Sequence, residues 1–224
     1  AALGGVVVYA AIRLVDVGEL RRIARFRLSE LFIALATTAA VLVLGVLNGI
    51  AVAIGLSILE QLRRVARPHD GILGYVPGVP GMHDIDDYPE AQLVPGLVVY
   101  RYDSPLFFAN ADDFERRALA AVDEANRPVE WFLLNAEGNT EVDLTGIDAL
   151  DELRRNITER GIVFAMARVK RDLRDDLAAA GFIDKVGEDR IFLTLPTAVE
   201  AYVREYVGRH GEPPPGVYIP RPPH

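Results

Sequence analysis

The sequence predicts an α/β domain built on a mixed β-sheet and preceded by membrane-spanning α-helices. Three observations predict this architecture. The 29 residues from Leu31 to Leu59 contain no charged side chain. Residues 68–95, which follow, are rich in proline and glycine. Beyond them, β-rich runs alternate with segments whose apolar residues recur at helical spacing. The chain therefore consists of two chemically different parts.

The charge distribution also separates these parts. Residues 1–67 contain eight Arg and four acidic residues, whereas residues 68–224 contain 16 basic and 28 acidic residues, a net charge of −12. Such an acidic segment offers no positive surface to a phosphate backbone, so nucleic acid is not an expected partner. The chain contains no cysteine. Disulfides and thiolate metal sites are therefore excluded.

Residues 31–62 are predicted to form a hairpin of two short membrane helices. A single helix over the uncharged stretch would be about 43 Å long, whereas the hydrocarbon core of a bilayer is about 30 Å thick. The segment 45–49 (GVLNG) offers a break, and Arg clusters at 21–27 and 63–67 flank the stretch. Because Arg-rich flanks favour the cytoplasm, both ends are expected on that side. Helices this short need the neighbouring helices of a larger bundle.

The remaining residues of the first part are assigned around this hairpin. Residues 1–14 are interpreted as part of a truncated further span, and residues 15–30 as an amphipathic basic link at the membrane surface. Within the hairpin, Gly45 and Gly49, like Ala51 and Gly55, have the spacing that lets helices pack closely. The alternative is the general enrichment of small residues in membrane helices. Residues 1–67 are thus predicted to be the C-terminal helices of a membrane domain.

Two segments of the second part are predicted to lack regular structure. Residues 68–95 contain too many proline and glycine residues for a helix or a central strand and are interpreted as a linker. Within them, residues 83–87 (HDIDD) suggest either a metal site or a solvated acidic loop, and we favour the loop. Residues 210–224 contain a Pro-Pro-Pro-Gly run and are interpreted as a disordered tail.

Between these segments, residues 96–209 are predicted to fold in the order β-β-α-β-α-β-α-β-α. Strands are expected at residues 97–102, 106–109, 129–134, 162–167 and 191–195. Helices are expected to begin at Asn110, near Thr145, near Lys170 and after Pro196. Helical crossovers would connect the parallel strands of a mixed sheet. The strand at 131–134 is apolar on both faces and is therefore expected in the core.

Two segments resemble one known family. Residues 44–57 (LGVLNGIAVAIGLS) resemble the last transmembrane hairpin of the sulfate permease (SulP) family. Residues 106–114 (LFFANADDF) resemble the start of the STAS domain that follows the hairpin in that family. The order of the two segments and the position of the linker agree with this family as well. The chain therefore resembles the C-terminal part of a SulP anion transporter.

This resemblance implies a function, a location and partners. It implies secondary-active anion transport, with sulfate as the commonest substrate, by a multi-pass protein of the cell membrane whose STAS domain is cytoplasmic and regulatory. The implied partners are the remainder of the transporter membrane domain, membrane lipids and a second copy in a homodimer. Family members hold the anion with other parts of the membrane domain, so no substrate-binding residue is assigned in this chain.

STAS domains also resemble bacterial anti-sigma-factor antagonists, which carry a phosphorylatable Ser or Thr in an Asp-x-Ser/Thr-Gly loop. The corresponding residues here are Asp143, Leu144, Thr145 and Gly146. The resemblance implies phosphorylation of Thr145 at a helix N-terminus, which favours an anion, although Asp143 and Asp148 would repel a phosphate. The alternative, which we favour, is that Thr145 is the helix N-cap and Asp148 its capping-box partner.

The same helix N-terminus, with Arg168 and Lys170 after the fourth predicted strand, suggests a site for a guanine or adenine nucleotide. No P-loop or G-x-G-x-x-G pattern accompanies it. No catalytic or metal-binding residue is assigned, and no other cofactor is expected. The alternative function is a membrane-tethered signalling module like the anti-sigma antagonists, without transport. Such an anchor would need only one ordinary span.

Overall fold

The computed structural model describes residue 9 and residues 17–215, and it divides after Arg63 into two compact units. Except for Tyr9, the predicted span at 1–14 lies outside the described residues. So do the last nine residues, 216–224. Each unit is described by itself below.

The first unit is helical. Helix α1 (Val17–Phe26) carries the basic residues of the predicted link, and α2 (Leu28–Leu44) and α3 (Val46–Ala66) follow it. The helical backbone is interrupted between α2 and α3 at Gly45, whose φ of 81° lies in the region that favours glycine. Helix α3 continues into the Arg cluster and ends at Ala66, whereas the predicted hairpin ends at residue 62.

Helices α2 and α3 approach each other closely near this break. A Cβ atom on Gly49 would lie 2.6 Å from the Cα atom of Val41, whereas a Cβ atom on Gly55 would have nothing within 4 Å. Of the two predicted pairs of small residues, Gly45 with Gly49 therefore includes a close helix contact, at Gly49. Among the described helices, α3 alone is long and apolar enough to cross a membrane, and the apolar α2 is shorter at 17 residues.

The second unit contains a six-stranded sheet in the order β2-β1-β3-β4-β5-β6. The strands are β1 (Asp70–Tyr75), β2 (Met82–Asp84), β3 (Leu97–Tyr102), β4 (Trp131–Asn135), β5 (Val163–Ala167) and β6 (Ile191–Phe192). Strands β3, β4, β5 and β6 run parallel to one another, whereas β1 is antiparallel to both β2 and β3. The prediction of a mixed sheet is therefore confirmed. All of β4 is buried, as expected for a core strand.

Part of the predicted linker belongs to the sheet. Strands β1 and β2 both lie within residues 68–95, and β1 occupies an interior position. The glycines of β1 permit this arrangement, because a Cβ atom on Gly71 would lie 1.9 Å from the Oδ2 atom of Asp84. The expectation that this segment contains no central strand was wrong. The glycines provide space for a neighbouring side chain instead of breaking the strand.

Two of the predicted strands also differ from the structure. Residues 106–109 do not form a strand, because only Leu106 forms a bridge, to Val142, and the following residues turn into a helix. Strand β6 ends at Phe192, since Leu195 already begins the last helix.

In the described part of this unit, five α-helices pack on the two faces of the sheet. They are α4 (Ala111–Asp123), α5 (Leu144–Glu159), α6 (Arg171–Ala179), α7 (Phe182–Val186) and α8 (Leu195–His210). Alternate strand residues point to opposite faces. Phe132 therefore packs with residues of α4 to α7, whereas its neighbour Trp131 packs with Tyr202 of α8. The short helix α7, which buries Phe182, was not predicted.

The structure describes five residues beyond α8, 211–215, of which only Pro214 is buried. The helix ends at His210, and Gly211 adopts the left-handed conformation that commonly ends helices. The prediction of a disordered tail is therefore wrong at His210, which is helical. Residues 211–213 and 215 are exposed, and a disordered tail beyond His210 stays a prediction.

Candidate functional site

The candidate site lies at the carboxyl ends of the parallel strands, where open α/β sheets commonly bind ligands. Three loops meet at this edge. The first connects β3 to α4, the second connects β4 to α5, and the third connects β5 to α6. All five residues that we predicted as a regulatory or nucleotide site lie in, or directly after, the second and third loops.

Asp143 is the N-cap of α5. Its side chain accepts a hydrogen bond from the backbone amide of Gly146 at 2.8 Å, and its Oδ2 atom accepts another from the amide of Phe108 at 2.9 Å. The favoured expectation that Thr145 caps this helix was therefore wrong. A Thr side chain is a good cap in isolation, but the N-cap lies two residues earlier than expected, at Asp143, and the helix begins at Leu144.

Thr145 and Gly146 occupy the first turn of α5. The side chain of Thr145 is exposed, whereas Gly146 is buried against the first loop. A Cβ atom on Gly146 would lie 2.6 Å from the backbone oxygen of Leu106. Glycine is thus required here for close packing between two loops, and this requirement is independent of any phosphate.

Arg168 and Lys170 lie in the third loop and are both exposed. Arg168 has a φ of 59°, and its backbone amide donates a hydrogen bond to the oxygen of Phe192 at 3.0 Å. Its guanidinium forms an ion pair with Glu137 of the second loop at 2.7 Å. This ion pair joins Arg168 to the second loop, and the carboxylate of Glu137 neutralises the charge of the guanidinium.

Two buried asparagines fix the first two loops: Asn139, which the sequence did not indicate, joins the second loop to the first, and Asn110 holds the first loop in its own shape. The Asn139 amide donates hydrogen bonds to the backbone oxygens of Tyr102 and Ser104, at 3.2 and 2.8 Å. Asn110 donates to the oxygen of Pro105 at 2.8 Å and accepts from the amide of Phe107 at 2.9 Å. Asparagines in strand-to-helix loops were the only sequence signal for these contacts.

This arrangement restricts how the edge could bind an anion. A helix N-terminus attracts anions through free backbone amides, but Asp143 already bonds the amide of Gly146 and adds a negative charge beside it. A phosphate near Thr145 would therefore meet fewer free amides and an adjacent carboxylate. The edge is a rigid, capped junction whose exposed hydroxyl is that of Thr145.

A second polar cluster lies on the face of the sheet that packs against α4 to α7. Tyr100 donates a hydrogen bond to Asp70 at 2.8 Å, and Tyr102 donates to Asp113 at 3.2 Å. Arg117 forms ion pairs with both carboxylates. Beside this cluster lies a cleft of about 510 Å³, lined by polar residues of β1 and α4.

The surroundings of this cluster shift three pKa values. Burial, followed by the negative charge of Asp70, raises the pKa of Tyr100 well above its usual value. Burial and Asp113 do the same to the pKa of Tyr102. For Arg117, burial lowers the pKa, but the two carboxylates outweigh it, so the net shift is upward. The cluster therefore keeps both phenols neutral and the guanidinium charged.

The acidic segment 83–87 differs from the loop that we favoured. Asp84 is at the end of β2 and is buried, and its Oδ2 atom lies 2.9 Å from Nε2 of His69 and 3.5 Å from Arg101. Its Oδ1 atom accepts from the amide of Asp86 at 3.0 Å. Within residue 9 and residues 17–215, no group of three or more His or acidic residues is arranged to hold a metal ion.

Comparisons with known proteins identify the second unit. Residues 88–198 match the family model of the STAS domain. The fold of this unit, a mixed sheet with helices on both faces, is thus that of a STAS domain.

The similarity extends into the first unit. A probable sulfate transporter of Mycobacterium tuberculosis is 69% identical over 204 residues, which cover 91% of this chain and 36% of that protein. Low affinity sulfate transporter 3 of Stylosanthes hamata is 31% identical over 211 residues, which cover 90% and 33%. This chain belongs to the sulfate permease (SulP) family and corresponds to the C-terminal part of its members. It spans about a third of the length of these relatives.

A solved structure has the same fold over both units. The murine Solute Carrier 26 family member A9 anion transporter, in its inward-facing state, matches with a TM-score of 0.75 and 21% sequence identity. The match covers 85% of this chain, which is more than the STAS unit alone, and 32% of the transporter chain. The order of apolar helices followed by a STAS domain is therefore shared with that structure.

Proposed function

We propose that this chain is the C-terminal part of a secondary-active anion transporter that carries sulfate, and that it is not an enzyme. The 69% identity to a probable sulfate transporter carries this proposal, because the aligned region includes both the apolar helices and the STAS domain. The chain corresponds to 36% of that protein. The residues that bind the anion are expected in the remainder of the membrane domain.

The proposed topology is a multi-pass protein of the cell membrane with α2 and α3 as its last hairpin. One Arg cluster, at 21–27, precedes α2, and the other, at 63–67, begins near the end of α3. Both clusters support a cytoplasmic position for the beginning of α2 and for the end of α3. No described residue of α2 is buried, and Gly49 is the only buried residue of α3. Such apolar surfaces support contacts with lipid and with the remaining transporter helices. The STAS domain would then be cytoplasmic.

The proposed role of the STAS domain is to regulate or assemble the transporter, within a homodimer. The acidic, charged surface of this unit supports an aqueous location next to the membrane. Deletion of the domain is therefore expected to change the folding, trafficking or rate of the transporter.

The proposed regulatory position in this domain is Thr145. Its exposed hydroxyl supports access for a kinase, while the neighbouring Asp143 opposes a phosphate. Nucleotide binding at the same edge, with Arg168 and Lys170, is a weaker proposal because Glu137 already pairs with Arg168. NMR shifts at residues 145–147 and 168–170 on addition of GTP or ATP would support it, and unchanged spectra would refute it.

Uptake of radiolabelled sulfate by the full-length parent of this chain tests the transport proposal. The matched variant lacks residues 68–224. This cut removes β1 and β2 together with the rest of the sheet, whereas a cut at residue 96 would leave this pair of strands without β3, with which β1 pairs. Uptake by the parent and reduced uptake by the variant are expected.

Correct membrane insertion of both proteins is the control for this experiment. If neither protein takes up sulfate or competing anions despite correct insertion, transport is refuted and a membrane-tethered signalling module becomes the better hypothesis. Equal uptake, trafficking and folding in the two proteins would instead refute the regulatory role of the STAS domain.

A further inference from the structure

The apolar side chains that protrude most from the STAS unit lie at one edge of its sheet. Among the described residues of this unit, the three most exposed large apolar side chains are Phe108, Leu144 and Leu193, at 69%, 73% and 88%. We call these three residues the apolar edge. We infer that the apolar edge docks on the cytoplasmic surface of the transporter membrane domain, in the remainder of the parent protein. This inference rests on the proposed function and specifies which face of the STAS domain serves assembly.

The three side chains reach this edge from different parts of the chain. Phe108 follows β3, and its backbone amide donates a hydrogen bond to Asp143, the residue before Leu144. Leu193 directly follows β6. Because β3 to β6 are parallel, the residues that follow them lie at the same carboxyl edge of the sheet. Exposed apolar surface rimmed by polar residues is typical of interaction sites.

The chain also enters the STAS unit at this edge. Strand β1 begins at Asp70, which pairs with Tyr102 at the end of β3. Residues 64–66, the last of α3, belong to the same unit, and the side-chain amide of Asn110 donates a hydrogen bond to the backbone oxygen of Val65 at 3.3 Å. The apolar edge therefore adjoins the residues that connect this unit to the proposed membrane hairpin, whereas the opposite edge does not.

The charge of this edge complements a cytoplasmic membrane-protein surface. The three loops contain two basic and four acidic residues, namely Arg168 and Lys170, and Asp103, Glu137, Glu141 and Asp143. Asp112 and Asp148, near the beginnings of α4 and α5, are also exposed. Cytoplasmic segments of membrane proteins carry an excess of Lys and Arg. An acidic rim therefore favours docking on such segments, whereas it disfavours anionic lipid headgroups.

Labelling of introduced thiols tests whether the apolar edge is covered. Leu144→Cys and Leu193→Cys place thiols on it, and Ala180→Cys is the matched control at an exposed position at the end of α6, towards the opposite edge of the sheet. Maleimide labelling is measured in the full-length parent and in this chain, in the same detergent, by mass spectrometry of the peptide that contains each thiol. Fluorescence of the buried Trp131, the only tryptophan, shows that the unit is folded in this chain.

We expect labelling of L144C and L193C to be at least about fivefold slower in the parent, as for a surface covered about four-fifths of the time. Labelling of A180C should be the same in both proteins. Equal rates in the two proteins at all three positions would overturn the inference. Slower labelling at all three positions in the parent would also overturn it, because the cover would then not be specific to the apolar edge.

Photocross-linking identifies what covers the edge. A benzophenone maleimide attached to L144C in the parent is irradiated, and the joined peptides are sequenced by mass spectrometry. Peptides from cytoplasmic segments of the membrane domain are expected. Peptides from a second STAS domain, or cross-links to lipid alone, would overturn the inference.

Reversal of charge tests the complementarity. Glu141→Lys with Asp148→Lys should restore fast labelling of L144C in the parent. Glu124→Lys with Glu159→Lys, which changes exposed residues at the ends of α4 and α5, is the matched control and should leave labelling slow. Equal labelling in the two double variants would overturn the role of the acidic rim.

Sulfate uptake by the same parent distinguishes this inference from the proposed function. Uptake together with an uncovered L144C thiol refutes the docking and supports transport. A covered thiol without uptake of any anion refutes transport and supports the docking.

Discussion

The carboxylate of Asp143 accepts a hydrogen bond from the backbone amide of Gly146 at 2.8 Å. This contact makes Asp143 the N-cap of α5 and leaves the hydroxyl of Thr145 exposed. Thr145, which the anti-sigma antagonist pattern marks for phosphorylation, is therefore not the N-cap of α5.

Asp143→Ala should destabilise the STAS unit by about 1–2 kcal/mol, because it removes the cap of α5 and the acceptor for the Phe108 amide. Thr145→Ala should change the free energy of unfolding by less than about 0.5 kcal/mol. Urea unfolding of the whole chain in detergent, followed by Trp131 fluorescence, measures both. The reverse order of the two effects would show that Thr145 caps the helix.

Gly146→Ala should destabilise the unit by about 1–3 kcal/mol, even though Ala is the better helix former. The reason is the backbone oxygen of Leu106, which would lie 2.6 Å from the new Cβ atom. Gly208→Ala in α8 is the matched control, since nothing lies within 4 Å of a Cβ atom there. It should stabilise the unit by up to about 1 kcal/mol. Equal effects in the same urea titration would refute the close loop contact.

The stability of the STAS unit should fall above pH 10. Burial raises the folded-state pKa of Tyr100 and of Tyr102 above the ordinary value of 10.0. Between the unfolded and folded pKa values, the unfolded chain loses protons that the folded chain keeps. Each tyrosine then lowers the free energy of unfolding by about 1.4 kcal/mol per pH unit, and nothing is lost below the unfolded pKa.

Tyr102→Phe isolates one contribution to this pH dependence. The variant should have a lower free energy of unfolding at pH 8, by about 1 kcal/mol, because the hydrogen bond to Asp113 is removed. Its decline between pH 10 and 11.5 should be shallower than that of the unsubstituted chain. Identical slopes in urea titrations across this range would contradict a raised pKa of Tyr102.

Gly49→Ala should weaken the packing of α2 against α3. Its Cβ atom would lie 2.3 Å from Cγ2 and 2.6 Å from Cα of Val41, so the helices must move apart. Gly55→Ala in the same helix is the control, because it has open space around it. We expect a lower aggregation temperature in detergent for G49A only. Equal temperatures for the two variants would show that the contact at Gly49 is not important for stability.

Elements with a local signal were predictable from the sequence. Strand β4 was predicted from its apolar run, and helix α4 from the helical spacing of Phe114, Ala118 and Val122. No tertiary information was needed, because the period of the apolar residues predicts which side chains are buried. The resemblance of two segments to one family was also sufficient to identify the chain. The candidate site residues, which were predicted from the sequence, lie at one edge of the sheet. The contacts that they make were not predicted.

Elements without a local signal were missed for a physical reason. Strand β1 contains Gly71 and Gly74, and its interior position in the sheet depends on pairing with β3, more than 20 residues further along the chain, as well as with β2. Its local composition therefore indicated a linker. The pairing of Arg168 with Glu137 likewise joins loops that follow different strands.

The order of apolar helices and α/β domain and the core strands could be predicted from the sequence, because hydrophobic period and charge are local properties. The family could be predicted from the resemblance of residues 44–57 and 106–114 to known members. The tertiary structure was needed to show that Asp143 also accepts from the amide of Phe108, that Gly146 must be glycine and that Arg168 pairs with Glu137. Each of these depends on an atom contributed by another loop: the amide of Phe108, the oxygen of Leu106 and the carboxylate of Glu137. Such contacts form only when the sheet has brought the loops together.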